Sequence, residues 1–379
     1  MVTKTQTLAR IGLAVLCVGG VISTLVWAGP LNPPGGPVSS TYKTLSEVEP
    51  RIAINATNTP GDANSLYKIT QPGSYYLTGN ITGVVGKHGI EIVASGVTLD
   101  LNGFDLSGVA SMGSFDGVSV TVSGLSNIAV VNGSVRNWGQ CGINLGILFA
   151  SNCQVDAVSA TGNVVAGISA GNNALITRCA ASNNQNGIAV ESNSVISDCS
   201  ANSNSMRGIL ANSGTTITHC SCSGNISYGI VTQPACTISA CTSYQNVAQG
   251  IYVVSNGQII DCNVINNSFD GILCGPGSIV RGNTCDGNGF GSGDGANIHA
   301  MGADSRIEAN NCVGGDRGID VDSAGNIIIK NTCSGNTTNW DVVAGNTILV
   351  VQGSSAGAVL GNTGGTAPGS TDPNANFTY

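Results

Sequence analysis

A glycine followed by isoleucine or valine returns through this chain at a fixed interval, and that interval restricts the possible folds more than any other feature. The pair stands at Gly89, Gly117, Gly142, Gly167, Gly187, Gly208, Gly229, Gly250, Gly271 and Gly318, with a spacing of 21 residues at every step from Gly187 to Gly271. A second column, Asn163, Asn184, Asn204, Asn225, Asn246, Asn267 and Asn288, advances by 20 or 21 residues. A third runs through Cys179, Cys199, Cys220, Cys241 and Cys262. Columns that share one period mark a stack of like units, none of which can bury its apolar face alone.

Each unit reads as strands of three to five residues separated by sharp bends. Alternation in Gly-Ile-x-Val places Ile and Val on one face. Stacking units about 4.8 Å apart pairs every strand with its neighbours and joins those faces into one apolar shaft. Each buried Ile or Val contributes roughly 1.5–3 kcal/mol. The asparagine column lies just before each glycine, where the chain must turn. Its amides are expected to form a ladder from unit to unit, with Asn tolerating a left-handed backbone there. The scarcity of charge, 9% of residues, and the 54 glycines agree with a turn-rich, all-β chain.

Residues 1–28 carry Lys4 and Arg10, an apolar run from Ile11 to Val26, and small residues at Val26 and Ala28. They read as a secretory leader cut after Ala28, since the run falls short of a comfortable membrane span. Cys17 follows Leu16, where a lipidation signal requires a small residue. Residues 29–40 form a Pro/Gly linker, 41–80 an N-terminal cap segment, 81–352 the solenoid of about 11–12 coils, and 353–379 a tail that either docks as a closing strand or hangs free.

These repeats resemble the right-handed parallel β-helix repeats of the pectate-lyase-like superfold, with SGVTLDLNGFDLSG (Ser95 to Gly108) similar to an early coil of such proteins. The handedness follows from the strong preference for right-handed crossovers between parallel strands. The resemblance implies a fold shared by lyases, hydrolases, epimerases, tailspikes and adhesins, so it leaves activity open. Polygalacturonase-like hydrolases of the superfold carry NTD, DD, GHG and RIK signatures, none of which occurs here; KHG at Lys87 to Gly89 is a superficial echo. Calcium-dependent pectate lyases imply clustered aspartates beside a basic residue.

One region approaches that requirement. In RGIDVD, Arg317 to Asp322, Ile319 and Val321 face inward and leave Asp320 and Asp322 on the outer face. Aligning Gly295 with Gly318 places Asn297 beside Asp320 and His299 beside Asp322, with Asp294 and Asp316 at the adjacent bends. Catalytic candidates are therefore Asp320, Asp322, His299 and Arg317. Asn297 and Tyr252 are candidate ligand-binding residues, and Asp294, Asp320 and Asp322 are candidate calcium ligands. A solvated polar face at the end of the solenoid is the plain alternative. No cofactor is required by any motif, and calcium is the one ion suggested.

Further along the outer face, Ala189, Leu210, Val231, Tyr252 and Leu273 are expected to form an exposed apolar ridge about 20 Å long. His219 shares a register with Arg178, Asp198 and Asp261, which reads as a stacked salt-bridge column, and His88 has no evident partner. The cysteines are expected to stay reduced, because stacked side chains pointing one way do not meet disulfide geometry; Cys220 with Cys222 and Cys236 with Cys241 are the pairs to inspect. The net charge of −8 with 13 Lys and Arg gives nucleic acid no footing. The sequence thus predicts an exported extracellular, cell-surface or periplasmic β-helix that presents a long side to polysaccharide or to copies of itself. A polysaccharide lyase or related carbohydrate-active enzyme is the alternative.

Overall fold

The computed structural model describes residues 49–146, 150–291, 295–352, 358–361 and 372–378. Of the unit Met1–Pro50, only Glu49 and Pro50 are described, so the expected leader and linker lie outside the described residues, as does Asp294. The unit Arg51–Tyr379 is a parallel β-solenoid with no helix among the described residues.

Fourteen strands, from Ser65–Ile69 to Ala358–Gly361, stack into one sheet, and the other strands of the coils form the remaining sides. The sheet is longer than the 11–12 coils expected, because four of its strands, Ser65–Ile69, Ala296–Ala300, Thr338–Val342 and Ala358–Gly361, lack the Gly-Ile or Gly-Val pair by which coils are counted. Ser65–Ile69 pairs in parallel with His88–Ile92, so stacking begins within the segment expected to act as a cap. At the far end Asn376–Thr378 docks as a closing strand against Thr332–Ser334 and Val350–Gln352.

The apolar shaft forms as the period requires. Ile168, Ile188, Ile209, Ile230, Ile251 and Ile272 pair rung upon rung and are fully buried. Ile298 and Ile319 continue the column.

The asparagine ladder explains the glycines. Asn225 donates through Nδ2 to Asn246 Oδ1 (2.9 Å) and to the Ala201 carbonyl (3.0 Å), while its own Oδ1 accepts from the backbone N–H and Nδ2 of Asn204 (both 3.0 Å). The same exchange recurs from Asn163 to Asn288. A Cβ on Gly208 would lie 2.8 Å from Asn225 Nδ2 and 2.6 Å from the Gly229 carbonyl, so the amide column fits only against bare α-carbons. The ladder asparagines themselves do not take the left-handed conformation expected of them. That role falls to the residue before each, including Asn183, Ser203, Gln245 and Asn266.

The register of Arg178, Asp198, His219 and Asp261 is likewise a left-handed turn position, with φ between 52° and 56°. It is not a salt-bridge column. Arg178 reaches back to Asp156, and His219 Nδ1 meets Thr218 Oγ1 at 3.2 Å.

All 13 cysteines among the described residues are free and buried, including both pairs singled out for inspection. Thiols such as Cys220 and Cys241 donate weakly to backbone carbonyls two residues back, at 3.2 Å. The column then passes to asparagine: the Cys262 N–H donates to Asn283 Oδ1 (2.9 Å), and Asn310 and Asn331 follow. Burial pushes the thiols of Cys222, Cys285 and Cys312 well above the ordinary value.

Two outcomes follow from this packing. Asn225→Ala strands the donors of Asn204 and the Ala201 carbonyl, and is expected to lower stability by about 2–4 kcal/mol in equilibrium denaturation. The native described region should leave a water-soluble aromatic disulfide reagent unreacted for hours, whereas unfolding in denaturant should release all of its thiols to the reagent.

Candidate functional site

Outside the shaft, the 14-stranded sheet presents columns of side chains set by the same register. The residue before each glycine and the residue after each Ile or Val both face outward. The first column reads His88, Asp116, Cys141, Ala166, Asn186, Arg207, Tyr228, Gln249 and Asp270; the second reads Glu91, Ser119, Asn144, Ser169, Ala189, Leu210, Val231, Tyr252 and Leu273. The expected apolar ridge is instead a floor. Ala189, Val231 and Leu273 are 7–8% exposed, while Leu210 and Tyr252 on the rungs between them are half-buried. Tyr252 is half-buried, with its ring stacked on Tyr228 at 6.1 Å between centroids.

At the C-terminal end of this face the register differs from the one expected. Ile298 lies between Ile272 and Ile319, and His299 pairs with Asp320, two positions off the alignment through Gly295. Filling the shaft with isoleucine decides the register, since the glycine alignment would put Ala296 there. Asn297 is thereby turned inward and fully buried, away from the outer face on which it was expected. It takes the ladder place left empty by Gly315, accepting from Asn288 Nδ2 (2.8 Å) and donating to Asn336 Oδ1 (2.8 Å).

His299 does face outward. Its Nδ1 lies 3.2 Å from Asp270 Oδ1 and its Nε2 lies 3.0 Å from Asp322 Oδ2. Both carboxylates accept, so both ring nitrogens carry protons and the ring is an imidazolium. Burial works against that charge, but Asp270 first, then Asp322 and Asp320, outweigh it and raise the pKa to about 9. Asp270 also accepts the Ala296 N–H (3.0 Å) and Gln249 Nε2 (3.3 Å). Asp322 is exposed, whereas Asp320 is buried and lies 3.7 Å from Arg317 Nε. Arg317 Nε also donates to Asp341 Oδ2 (3.1 Å). Of the sequence candidates, His299, Asp320, Asp322 and Arg317 come together; Tyr252 stands on an earlier rung of the same face.

Donor atoms of His299, Asp320 and Asp322 converge within 4.8 Å of one another. Calcium takes six to eight oxygen ligands. One imidazole and two carboxylates suit a borderline ion such as zinc or manganese better. The described donors therefore do not by themselves make the all-oxygen set that calcium requires.

A second polar cluster, at the N-terminal end of the face, was missed. His88 does have a partner: its Nδ1 accepts the Asp116 backbone N–H (3.0 Å). Buried Asp116 accepts in turn from the Cys141 N–H, the Ser119 hydroxyl and Asn144 Nδ2. Beside it Lys68 Nζ lies 3.0 Å from Glu91 Oε2, and Thr121 donates to Glu91 Oε1. Burial opposes the charge on Glu91, yet the bonds from Thr121 and Lys68 hold its carboxyl below the usual range. The signal was present in HGIE, DGVS, CGIN and AGIS, read in the register of DGIL and RGID. A cavity of about 350 Å³ lies between the clusters, lined by Gln140, Asn144, Ser169, Asn186, Ala189 and Leu210. A larger cavity, about 580 Å³ beside Ser111 and Trp138, carries no titratable side chain.

With this geometry in place, comparison with known proteins is informative. Residues 192–291 match the family model described as "Right handed beta helix region". The chain is a right-handed parallel β-helix. This β-helix superposes on the A-module of mannuronan C-5 epimerase AlgE6 from Azotobacter vinelandii with a TM-score of 0.58 at 15% identity, over 73% of this chain and 90% of that one. The AlgE4 A-module from the same organism gives 0.57 at 14%, over 79% and 91%. The Agl-KA catalytic domain gives 0.50 at 15%, over 75% and 60%. Identities this low establish the shared fold alone. No curated protein sequence matches the chain.

The raised His299 pKa fixes a pH dependence. Its folded value of about 9 exceeds the ordinary 6.5, so the stability it contributes is complete below about pH 6.5 and is lost as pH rises through 9. NMR should show one imidazole titrating near pH 9, and Asp270→Asn should move it toward 6.5. His299→Gln should flatten the fall in denaturation midpoint over that window.

Proposed function

We propose that this chain is an exported polysaccharide-binding β-helix protein whose ligand lies along the outer face of the 14-stranded sheet, gripped at one end by the His299 cluster. The observation that carries this reading is the imidazolium of His299 held between Asp270 and Asp322 on that face. Removing charged groups from water is costly. Other rungs fill the His299 position with Ala189, Val231 or Leu273, so the fold itself does not need a charge there. The exposed Asp322 carboxylate keeps lone pairs beyond the one that faces His299 and can accept from sugar hydroxyls, and the Tyr228–Tyr252 pair offers a surface for a sugar ring.

The A-modules of the two mannuronan C-5 epimerases that share this fold support this ligand class by analogy. Export rests on the leader-like residues 1–28. No helix among the described residues is long and apolar enough to cross a membrane. Self-association along the apolar strip is less favoured, because the strip is recessed and offers little flat apolar surface to a second copy.

Titration calorimetry against a panel of neutral and acidic polysaccharides tests the proposal. His299→Ala and Asp322→Asn are each expected to weaken binding about tenfold or more, and a chelator should leave wild-type affinity unchanged. Unchanged affinity in both variants would remove the His299 cluster from the ligand site, and loss of binding on chelation would bring a divalent cation into it.

An enzymatic reading has one specific observation in its favour: a histidine charged at neutral pH can donate a proton to a leaving oxygen. Accumulation of unsaturated, ultraviolet-absorbing products from a uronate polymer, abolished by His299→Gln, would establish it in place of simple binding.

A further inference from the structure

Cations on the outer face are neutralised, with one exception. Lys68 pairs with Asp62 and Glu91, Arg317 with Asp320 and Asp341, and His299 with Asp270 and Asp322. Among the described residues Arg207 forms no ion pair, and its Nε is buried without a hydrogen-bond acceptor. The Gly187 N–H donates to the Arg207 carbonyl (2.9 Å), which sets Arg207 one rung above Asn186. There the side-chain oxygen of Asn186 is also buried and without a donor. A donor lacking an acceptor and an acceptor lacking a donor thus stand on successive rungs. Asn186 lines the 350 Å³ cavity, and Leu210, on the rung of Arg207, lines it too. Tyr228 occupies the next rung of the column that holds Arg207. The carboxylate of Glu191, on the rung of Asn186, is engaged by Asn212 Nδ2.

We infer that Arg207 and Asn186 form a subsite for an anionic substituent of the bound glycan, a carboxylate or sulfate, with Arg207 taking the charge and Asn186 a neighbouring hydroxyl. The inference rests on the polysaccharide reading above and deepens it by naming the ligand's charge. A guanidinium fork matches a planar or tetrahedral oxyanion with two parallel N–H···O bonds. An unsatisfied buried donor is costly in the free protein, so a rotation of the side chain that brings Nε to an oxyanion relieves that cost and adds to affinity. Position matters as well. Asp270 lies three rungs from Arg207, about 14 Å, beyond the screening length of roughly 8–10 Å at moderate ionic strength. An anion at Arg207 therefore escapes the carboxylates around His299, which would repel it if it bound there.

The test uses the full chain and three polymers: polygalacturonate, dextran sulfate and neutral dextran, each titrated into wild type, Arg207→Gln, Arg207→Lys and His299→Ala. Wild type should bind at least one anionic polymer more tightly than dextran. Arg207→Gln should lose about tenfold or more for that polymer, with Arg207→Lys intermediate and any dextran affinity unmoved. Loss confined to polygalacturonate assigns a carboxylate, and loss confined to dextran sulfate a sulfate; loss for both assigns charge alone. Anionic binding equal in wild type and Arg207→Gln overturns the subsite, while sensitivity to His299→Ala would still uphold the broader reading. Failure of all three polymers to bind wild type overturns both. Unchanged circular dichroism and melting temperature in Arg207→Gln should show that the fold is intact.

Discussion

The contact on which the rest of this structure depends is that between a column of asparagine amides and a column of bare glycine α-carbons. Each ladder amide spans two rungs, bonding both the next amide and a backbone carbonyl one coil below. Those bonds form only if nothing projects from the facing glycine, where a Cβ would intrude to 2.7–2.8 Å of the amide nitrogen. Two of the periodic signals in the sequence are therefore the two sides of one contact. With the bend held by that contact, the isoleucine shaft on one side and the outer columns on the other have no freedom of register.

That constraint also accounts for what was legible beforehand. The fold class, the stacked isoleucines and the amide ladder followed from period alone, because each requires only that like residues recur. Failures came where period gives no information. Asn297 carries a side chain suited to a sugar site, yet the ladder had a vacancy at Gly315 and drew it inward. The insertion before it removed the spacing cue, and only the demand for Ile298 in the shaft decides its register. The apolar strip was placed on the outer face but misjudged in exposure, since three of its five side chains are nearly covered in the stack. His88 found its partner 28 residues away, in a coil longer than the regular repeat.

The polar groups of the outer face are distributed unevenly. Both ends hold ionic clusters whose members satisfy one another, whereas the middle holds an apolar floor, a stacked tyrosine pair and an unmatched guanidinium. Interiors of such solenoids are conservative, because a change in one rung is felt by the rungs above and below it. Outward positions are coupled only where side chains of successive rungs meet, as in the Tyr228–Tyr252 stack and the His299 cluster. Chemistry can therefore vary along the face while the shaft behind it stays the same, which is why shared fold and low identity say little about what any one β-helix binds.

The closing strand Asn376–Thr378 has a consequence for growth of the solenoid. By pairing with Thr332–Ser334 and Val350–Gln352 it occupies hydrogen-bonding groups that would otherwise remain open at the last rungs. Exposed edges of this kind invite another chain to add itself. Asn376–Thr378 thus covers part of that edge from within the same chain, so the last described rungs offer fewer open groups than the repeat alone would leave.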